Sequence, residues 1–226
     1  MFSHAERLSD VVIIDGPPGS GKGFLSERYL ADTPATQHIS AGQQVRDIRS
    51  GDIESVYAPT VLAHLEARAY LPDEVFGGII LEEMARRPEF IDLTLVDGFP
   101  YALGDLDYVQ EKLREQSRRI LGAVSLDATL DTCLFRMAYR GMRQGEDVRK
   151  SAIFSETESE REYYAGRYQY YLDARNARID MLLSRGLHLK QVDVNPNILD
   201  EDIRRVVYGQ FTNSINTLRA VGADGE

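Results

Sequence analysis

The run Gly16-Pro17-Pro18-Gly19-Ser20-Gly21-Lys22-Gly23 is the densest chemical signal in the chain. Glycines so placed let backbone N–H groups curl around phosphate oxygens, a following helix adds the positive end of its dipole, and a lysine reaches the outer phosphates. Gly16, Gly21 and Lys22 meet the first seven positions of the pattern G-x-x-x-x-G-K-[ST]; the eighth is Gly23, so the hydroxyl that usually faces Mg2+ is missing. The alternative is a structural Gly-Pro turn, and an apolar strand before the run with a helix pattern after it argues for phosphate. Cations that could converge on the same phosphates come in two sets. Arg136, Arg140 and Arg143 are spaced i, i+4 and i+7, one face of a helix or else a solvated basic stripe. Arg167 opens a second stripe with Tyr171, Arg175 and Arg178, which could equally be a surface ladder. Asp97 closes an apolar strand, where a carboxylate can hold Mg2+ through water or cap the next turn.

Positioning these groups requires strands that end together. Val11 to Asp15, Leu93 to Val96, Arg119 to Leu126 and Leu187 to Val194 read as strands. Helical patterns occupy Gln43 to Ser50, Tyr57 to Ala69, Asp73 to Ala85, Asp105 to Gln116, Leu130 to Arg140, Ser159 to Ser184 and Asp200 to Asn213. Strands alternating with helices predict an α/β fold with a mostly parallel sheet covered on both faces. Residues 40–71 hold consecutive helices without a strand, and 141–158 are polar and acidic, so the first reads as a helical insert and the second as a mobile flap. The tail from Val221 to Glu226 reads as frayed.

Composition narrows the field. At 226 residues, with 43% hydrophobic and 27% charged, the chain is expected to form one main globular domain over 1–226. No apolar run is long enough to span a bilayer, and the N-terminus lacks the order of a signal peptide, so a cytoplasmic protein is expected. A net charge of -10 argues against nucleic-acid binding. Only four of the basic residues are lysines, which leaves most positive charge on arginine, a residue suited to phosphate, although a composition bias explains the total equally well. Cys133 reads as a buried structural thiol and rules out a cysteine-based zinc site. His38 and His64 show no metal-ligand spacing and read as packing or surface residues.

Taken in order, the motifs resemble the adenylate kinase family, including its UMP/CMP kinase branch, whose loop also ends Gly-Lys-Gly. Ser40-Ala41-Gly42-Gln43-Gln44-Val45-Arg46 resembles the family's S-[TA]-G-x-x-L-R segment, Leu71-Pro72-Asp73-Glu74-Val75 its V-P-D-E-x segment, and Val96-Asp97-Gly98-Phe99-Pro100 its L-D-G-F-P-R segment. Arg167, Tyr171 and Asp180 match its R-x-x-x-Y helix and a later aspartate. The likeness covers about residues 11–210. It implies a P-loop NTPase fold with a five-stranded parallel sheet, a monophosphate-binding insert at 40–71 and a short lid without zinc at 141–158.

The resemblance also implies roles. ATP would be held by Gly16, Gly19, Ser20, Gly21, Lys22, Gly23, Arg136, stacking on its base, and Pro196. Lys22, Arg140, Arg167 and Asp97 would serve catalysis, Asp97 holding Mg2+ through water. Ser40, Ala41, Arg46, Leu71, Val75, Gly98, Tyr101 and Asp105 would form the monophosphate site. The expected partners are ATP with Mg2+ and a nucleoside monophosphate, AMP or CMP foremost, acting on a monomer. Another lid arginine could be Arg143 or Arg149.

The chain also departs from the family pattern. Tyr101 stands at an arginine that binds the acceptor phosphate, Asp105 at the glutamine that reads the acceptor adenine, and Phe24 at a threonine touching the donor phosphate. These losses leave a second expectation beside the kinase: a catalytically weak, ATP-binding regulatory or interaction protein that kept the fold.

Overall fold

Strand β1 (Asp10–Asp15) sets the layering, because its side chains alternate between two cores. Val11 and Ile13 enter one, Val12 and Ile14 the other, and all four are at most 1% exposed. A strand apolar on both faces needs helices on both sides, and each side chain removed from water contributes about 1.5–3 kcal/mol. The computed structural model describes residues 8–69, 71–86, 90–100, 103–142, 158–195 and 201–223.

Around β1 lie β2 (Thr36–Ser40), β3 (Leu93–Asp97), β4 (Ile120–Asp127) and β5 (His188–Asp193), all parallel in the order β2-β3-β1-β4-β5. The helices are α1 (Lys22–Asp32), α2 (Ala41–Ser50), α3 (Ala58–Glu66), α4 (Asp73–Ala85), α5 (Leu103–Arg114), α6 (Leu130–Met142), α7 (Glu158–Ser184) and α8 (Glu201–Ala223). One face of the sheet packs on Ile80, Leu81 and Met84 of α4, Leu106, Val109 and Leu113 of α5 and Leu182 of α7. The other packs on Leu25 and Tyr29 of α1, Cys133 of α6 and Val207, Phe211, Ile215 and Leu218 of α8. The expected parallel sheet with two covered faces is therefore present.

Two corrections concern elements. The sequence pattern missed β2, a short strand whose Thr36, Gln37 and His38 look polar; Gln37 spends its amide on Thr94 Oγ1 at 2.7 Å, which lets a polar strand be buried. α8 runs ten residues past Asn213, because Ile215 and Leu218 continue its apolar stripe. α2 and α3 follow β2 without another strand and gather around Ile48, Val61 and Ile79, with Leu71 and Val75 packed against them. Gly141 and Met142 end α6 and Glu158 opens α7, so 143–157 of the expected lid, with Arg143 and Arg149, lie outside the described residues, as do Tyr101 and Pro196.

Candidate active site

All five strands end at one edge, and the polar residues that end them stand side by side. Register pairs Ile14 of β1 and Ser40 of β2 with Asp97 of β3. The carboxyl ends of a parallel sheet are where the next loops diverge and leave a crevice.

From β1 the chain turns at once into the glycine run and α1. Gly19 has φ +84, and a Cβ there would stand 2.7 Å from the Cys133 carbonyl oxygen of α6, so only glycine lets the loop lie this close. Gly21, at φ 97, is the N-cap of α1 and supplies no side-chain cap, and the first turn holds no acid. The orphan N–H groups of that turn thus keep their partial positive charge. Ser20 is 1% exposed beneath them. Lys22 Nζ folds back on the loop, donating to the Gly16 carbonyl at 2.7 Å and the Pro17 carbonyl at 3.1 Å. Burial pulls its ammonium below the ordinary value; Asp97 and Asp15 oppose that fall, and the positive charge of Arg167 adds to it. Arg167 is exposed on α7, with its guanidinium 5.9 Å over the Tyr163 ring of the same helix.

Asp97 is 8% exposed and both its oxygens are engaged. His38 Nε2 donates to Oδ2 at 2.7 Å and Ser40 Oγ to Oδ1 at 3.0 Å. Burial alone would raise the carboxyl, but the hydrogen bond and charge of His38, the charge of Lys22 and the Ser40 hydroxyl hold it below its ordinary value. It is an ionised carboxylate beside the phosphate loop, which suits a divalent cation. Among the described residues no group of three acidic, histidine or cysteine ligands gathers to hold a metal. A Mg2+ ion would then draw most ligands from water and nucleotide phosphates, its usual habit, with Asp97 as the protein anchor.

Ser40 is also the N-cap of α2, yet it gives its hydroxyl to Asp97 and makes no side-chain cap, and this first turn too lacks an acid. By contrast α5, α6 and α8 carry Asp105, Asp131 and Glu201 with Asp202 in their first turns. α3 too lacks a side-chain cap and a first-turn acid, so the N-termini of α1 and α2 are set apart by their place, each following a strand directly at the crevice. Gly98, at φ 74, lies against the second: a Cβ there would be 3.8 Å from the Ala41 side chain and the Gly42 nitrogen. Arg46, one turn along α2, is exposed and donates from Nε and a terminal nitrogen to Gln43 Oε1 at 3.1 and 2.6 Å.

Arg136 lies on α6 between the loop and the end of β5. One terminal nitrogen donates to the Ser20 carbonyl at 2.6 Å and the other to the Val194 carbonyl. Two in-plane bonds fix the guanidinium plane and leave its faces for stacking. Arg140 is one turn further along α6. Asp105 is 1% exposed in the first turn of α5, where the helix dipole favours a carboxylate. His64 donates to, or accepts near, no site group; its Nδ1 bonds the Thr60 carbonyl of its own helix at 2.9 Å.

The expected groups Gly16, Gly19, Ser20, Gly21, Lys22, Ser40, Ala41, Asp97 and Gly98 thus share one edge of the sheet, Leu71 and Val75 stand off it in the α2–α3 cluster, and His38, expected as packing, joins Asp97. Its position two residues before Ser40 was the available signal once β2 is recognised, since i and i+2 share a face of a strand.

A phosphate loop between β1 and α1, at the carboxyl edge of a parallel α/β sheet, defines a nucleotide-binding protein of the P-loop class. No protein-family model matches the chain. It is 30% identical over 167 residues to the adenylate kinase of Synechococcus sp., which spans 71% of this chain and 81% of that one. It is 32% identical over 135 residues to the adenylate kinase of Enterococcus faecalis, 57% and 58% of the two chains, and 26% identical over 189 residues to that of Clavibacter michiganensis, 79% and 82%. The chain belongs to the adenylate kinase family, ATP-dependent kinases of nucleoside monophosphates.

Proposed function

We propose that the protein transfers the γ-phosphoryl group of ATP to a nucleoside monophosphate, with AMP or CMP as acceptor. The observation that carries this is the pair of uncapped, acid-free helix N-termini, of α1 and α2, set on either side of Asp97. Their strands are two places apart in the sheet, roughly 10 Å, which seats two phosphate groups with one transferable group between them.

On the donor side the loop from Gly16 to Gly23 cradles the ATP phosphates and Lys22 leaves its loop carbonyls for their outer oxygens. Arg136 lends a face to the base, and Pro196 follows the same strand end. On the acceptor side the phosphate sits at Ser40, Ala41 and Gly98 under Arg46, with Leu71 and Val75 toward the base and Tyr101 near the phosphate. An acceptor oxygen attacks the γ-phosphorus in line, the bond to the β-phosphate oxygen breaks, and Lys22, Arg140 and Arg167 balance the charge spread over the equatorial oxygens. Asp97 would hold Mg2+, which would supply charge neutralisation on the donor phosphates. An ionised Asp105 would accept hydrogen bonds only, so an exocyclic amino group on an acceptor base reaching it would be favoured over the carbonyl of uracil. The α2–α3 segment, residues 40–71, acts as the monophosphate-binding insert of a single kinase domain spanning 1–226, and 141–158 as its lid. Among the described residues no helix is long and apolar enough to cross a membrane.

A coupled assay of ADP release with ATP, Mg2+ and AMP, CMP, UMP or GMP tests this. Turnover with AMP or CMP at least about tenfold above UMP is expected, the ratio one hydrogen bond supplies. ATP binding without turnover on any acceptor contradicts it and leaves a nucleotide-binding regulator.

A further inference from the structure

An acidic residue at the root of an anion-binding loop needs an explanation. Asp15 is the last residue of β1 and the neighbour of Gly16. Its charge reaches Lys22. A carboxylate there repels the donor phosphates unless it is neutralised, and its side chain is only 14% exposed, so water screens it poorly.

Helix α7 supplies the neutralisation. Tyr171 donates its hydroxyl to Asp15 Oδ2 at 2.9 Å, and Arg178 Nε stands 3.4 Å from Oδ1. Arg178 is held further: its guanidinium lies 4.5 Å over the Tyr171 ring, and a terminal nitrogen donates to the Tyr171 carbonyl at 3.3 Å. Tyr171 is 8% exposed, and burial together with the charge of Asp15 pushes its hydroxyl up, so it stays a protonated donor. α7 also packs on β5 and α6, buries Leu182 in the core that holds Val11 and Ile13 of β1, and donates the Tyr168 hydroxyl to the Ala128 carbonyl at 2.9 Å; Tyr171 and Arg178 add a polar link to the end of β1. Arg167 stands one helical turn before Tyr171 on the same face.

We propose that Tyr171 and Arg178 are positioning residues that act on the donor site through Asp15: Tyr171 holds the Arg178 guanidinium against the carboxylate, and Arg178 cancels the charge of Asp15 beneath the donor phosphates. The proposal rests on the assignment of Lys22 to the donor site. Its consequence is a coupling of opposite signs. Losing Arg178 alone leaves an unpaired carboxylate against the nucleotide, while losing both partners removes the repulsion together with its remedy.

The test is a double-mutant cycle on the whole chain with Asp15→Leu, Arg178→Met and the two combined, reading kcat, KM for ATP, KM for the acceptor, Tm, and ATP affinity by calorimetry. Arg178→Met is expected to lower kcat/KM for ATP and ATP affinity about tenfold or more, the scale of a charged hydrogen bond, with KM for the acceptor little moved. The combined variant is expected to return to within about threefold of the parent. Arg178→Lys keeps the charge without the planar fork and should fall between parent and Arg178→Met. A combined variant as impaired as Arg178→Met overturns the proposal, as does an Arg178→Met whose Tm falls while ATP affinity and kcat/KM stay within about twofold of the parent. Should Arg178→Met not fold, Asp15→Leu alone decides: it is expected to bind ATP at least as tightly as the parent, and weaker binding overturns the proposal. A parent protein that binds ATP but turns over no acceptor contradicts the kinase assignment, and the ATP affinities of the same variants still decide the role of the cluster.

Discussion

On the donor side, Gly19 lies against the backbone of α6, Arg136 bridges the loop to the end of β5, and Lys22 is tied to its own loop. On the proposed acceptor side, Arg46, the cation assigned there to the phosphate, is exposed and bonded to Gln43 on the same helix, and the α2–α3 segment has its own small apolar cluster around Ile48, Val61 and Ile79. A donor site bonded across elements is preorganised and gives little ordering entropy away on binding, whereas a cation resting on its own helix must be redirected by its ligand. The two halves therefore ought to respond differently to substitution and to ligand.

The largest effect is expected at Lys22. Lys22→Ala should lower kcat about a hundredfold or more, the scale of one charge donor to the transferring group, while Tm falls by no more than about 3 °C. Turnover within a few-fold of the parent would remove the loop from the chemistry. Arg46→Ala is the acceptor-side counterpart: KM for the monophosphate should rise about ten- to a hundredfold, with KM for ATP and Tm unchanged because the side chain is exposed and bonds Gln43 of its own helix. A parallel rise in KM for ATP would dissolve the distinction between the halves. Gly19→Ala tests preorganisation as stability. A Cβ meeting the Cys133 carbonyl at 2.7 Å, at φ +84, should cost about 2–4 kcal/mol in chemical denaturation and weaken ATP binding with it.

The smallest effect concerns pH. Asp97 is held below its ordinary value of 3.8, so it adds stability that is full above that pH and is lost as pH falls through the lower, folded value. Asp97→Asn should then be less stable than the parent at pH 7 by about 1.5 kcal/mol, the scale of a hydrogen bond to a charge, and the gap should close below pH 3.8. A gap that persists in acid would mean that Asp97 acts by packing.

The donor half was legible in the sequence because its signals are local: an apolar strand, a glycine run and an amphipathic helix adjoin in one stretch, and the backbone does the binding. The acceptor half depends on β2, whose polar residues hide it from hydrophobic periodicity; the amide nitrogen of buried Gln37 finds its partner in Thr94, 57 residues away. Missing that strand concealed that His38 and Ser40 share a face and meet Asp97. The Asp15–Tyr171 contact spans 156 residues and is a product of the fold, beyond any local pattern. α8 shows the converse: its extension through Ile215 and Leu218, past the polar Thr212-Asn213-Ser214 stretch, follows the same stripe that the sequence displays.

Hydrogen exchange in the presence and absence of a two-headed ATP–monophosphate analogue tests the contrast between a preformed donor site and a closing acceptor site most directly. Amides of α2 and α3, residues 41–66, are expected to gain protection of about tenfold or more as the segment closes over the ligand, while those of β1 and of α1 beyond its first turn, already bonded across the core, change far less. Equal gains in both regions, or none in 41–66, would contradict the account.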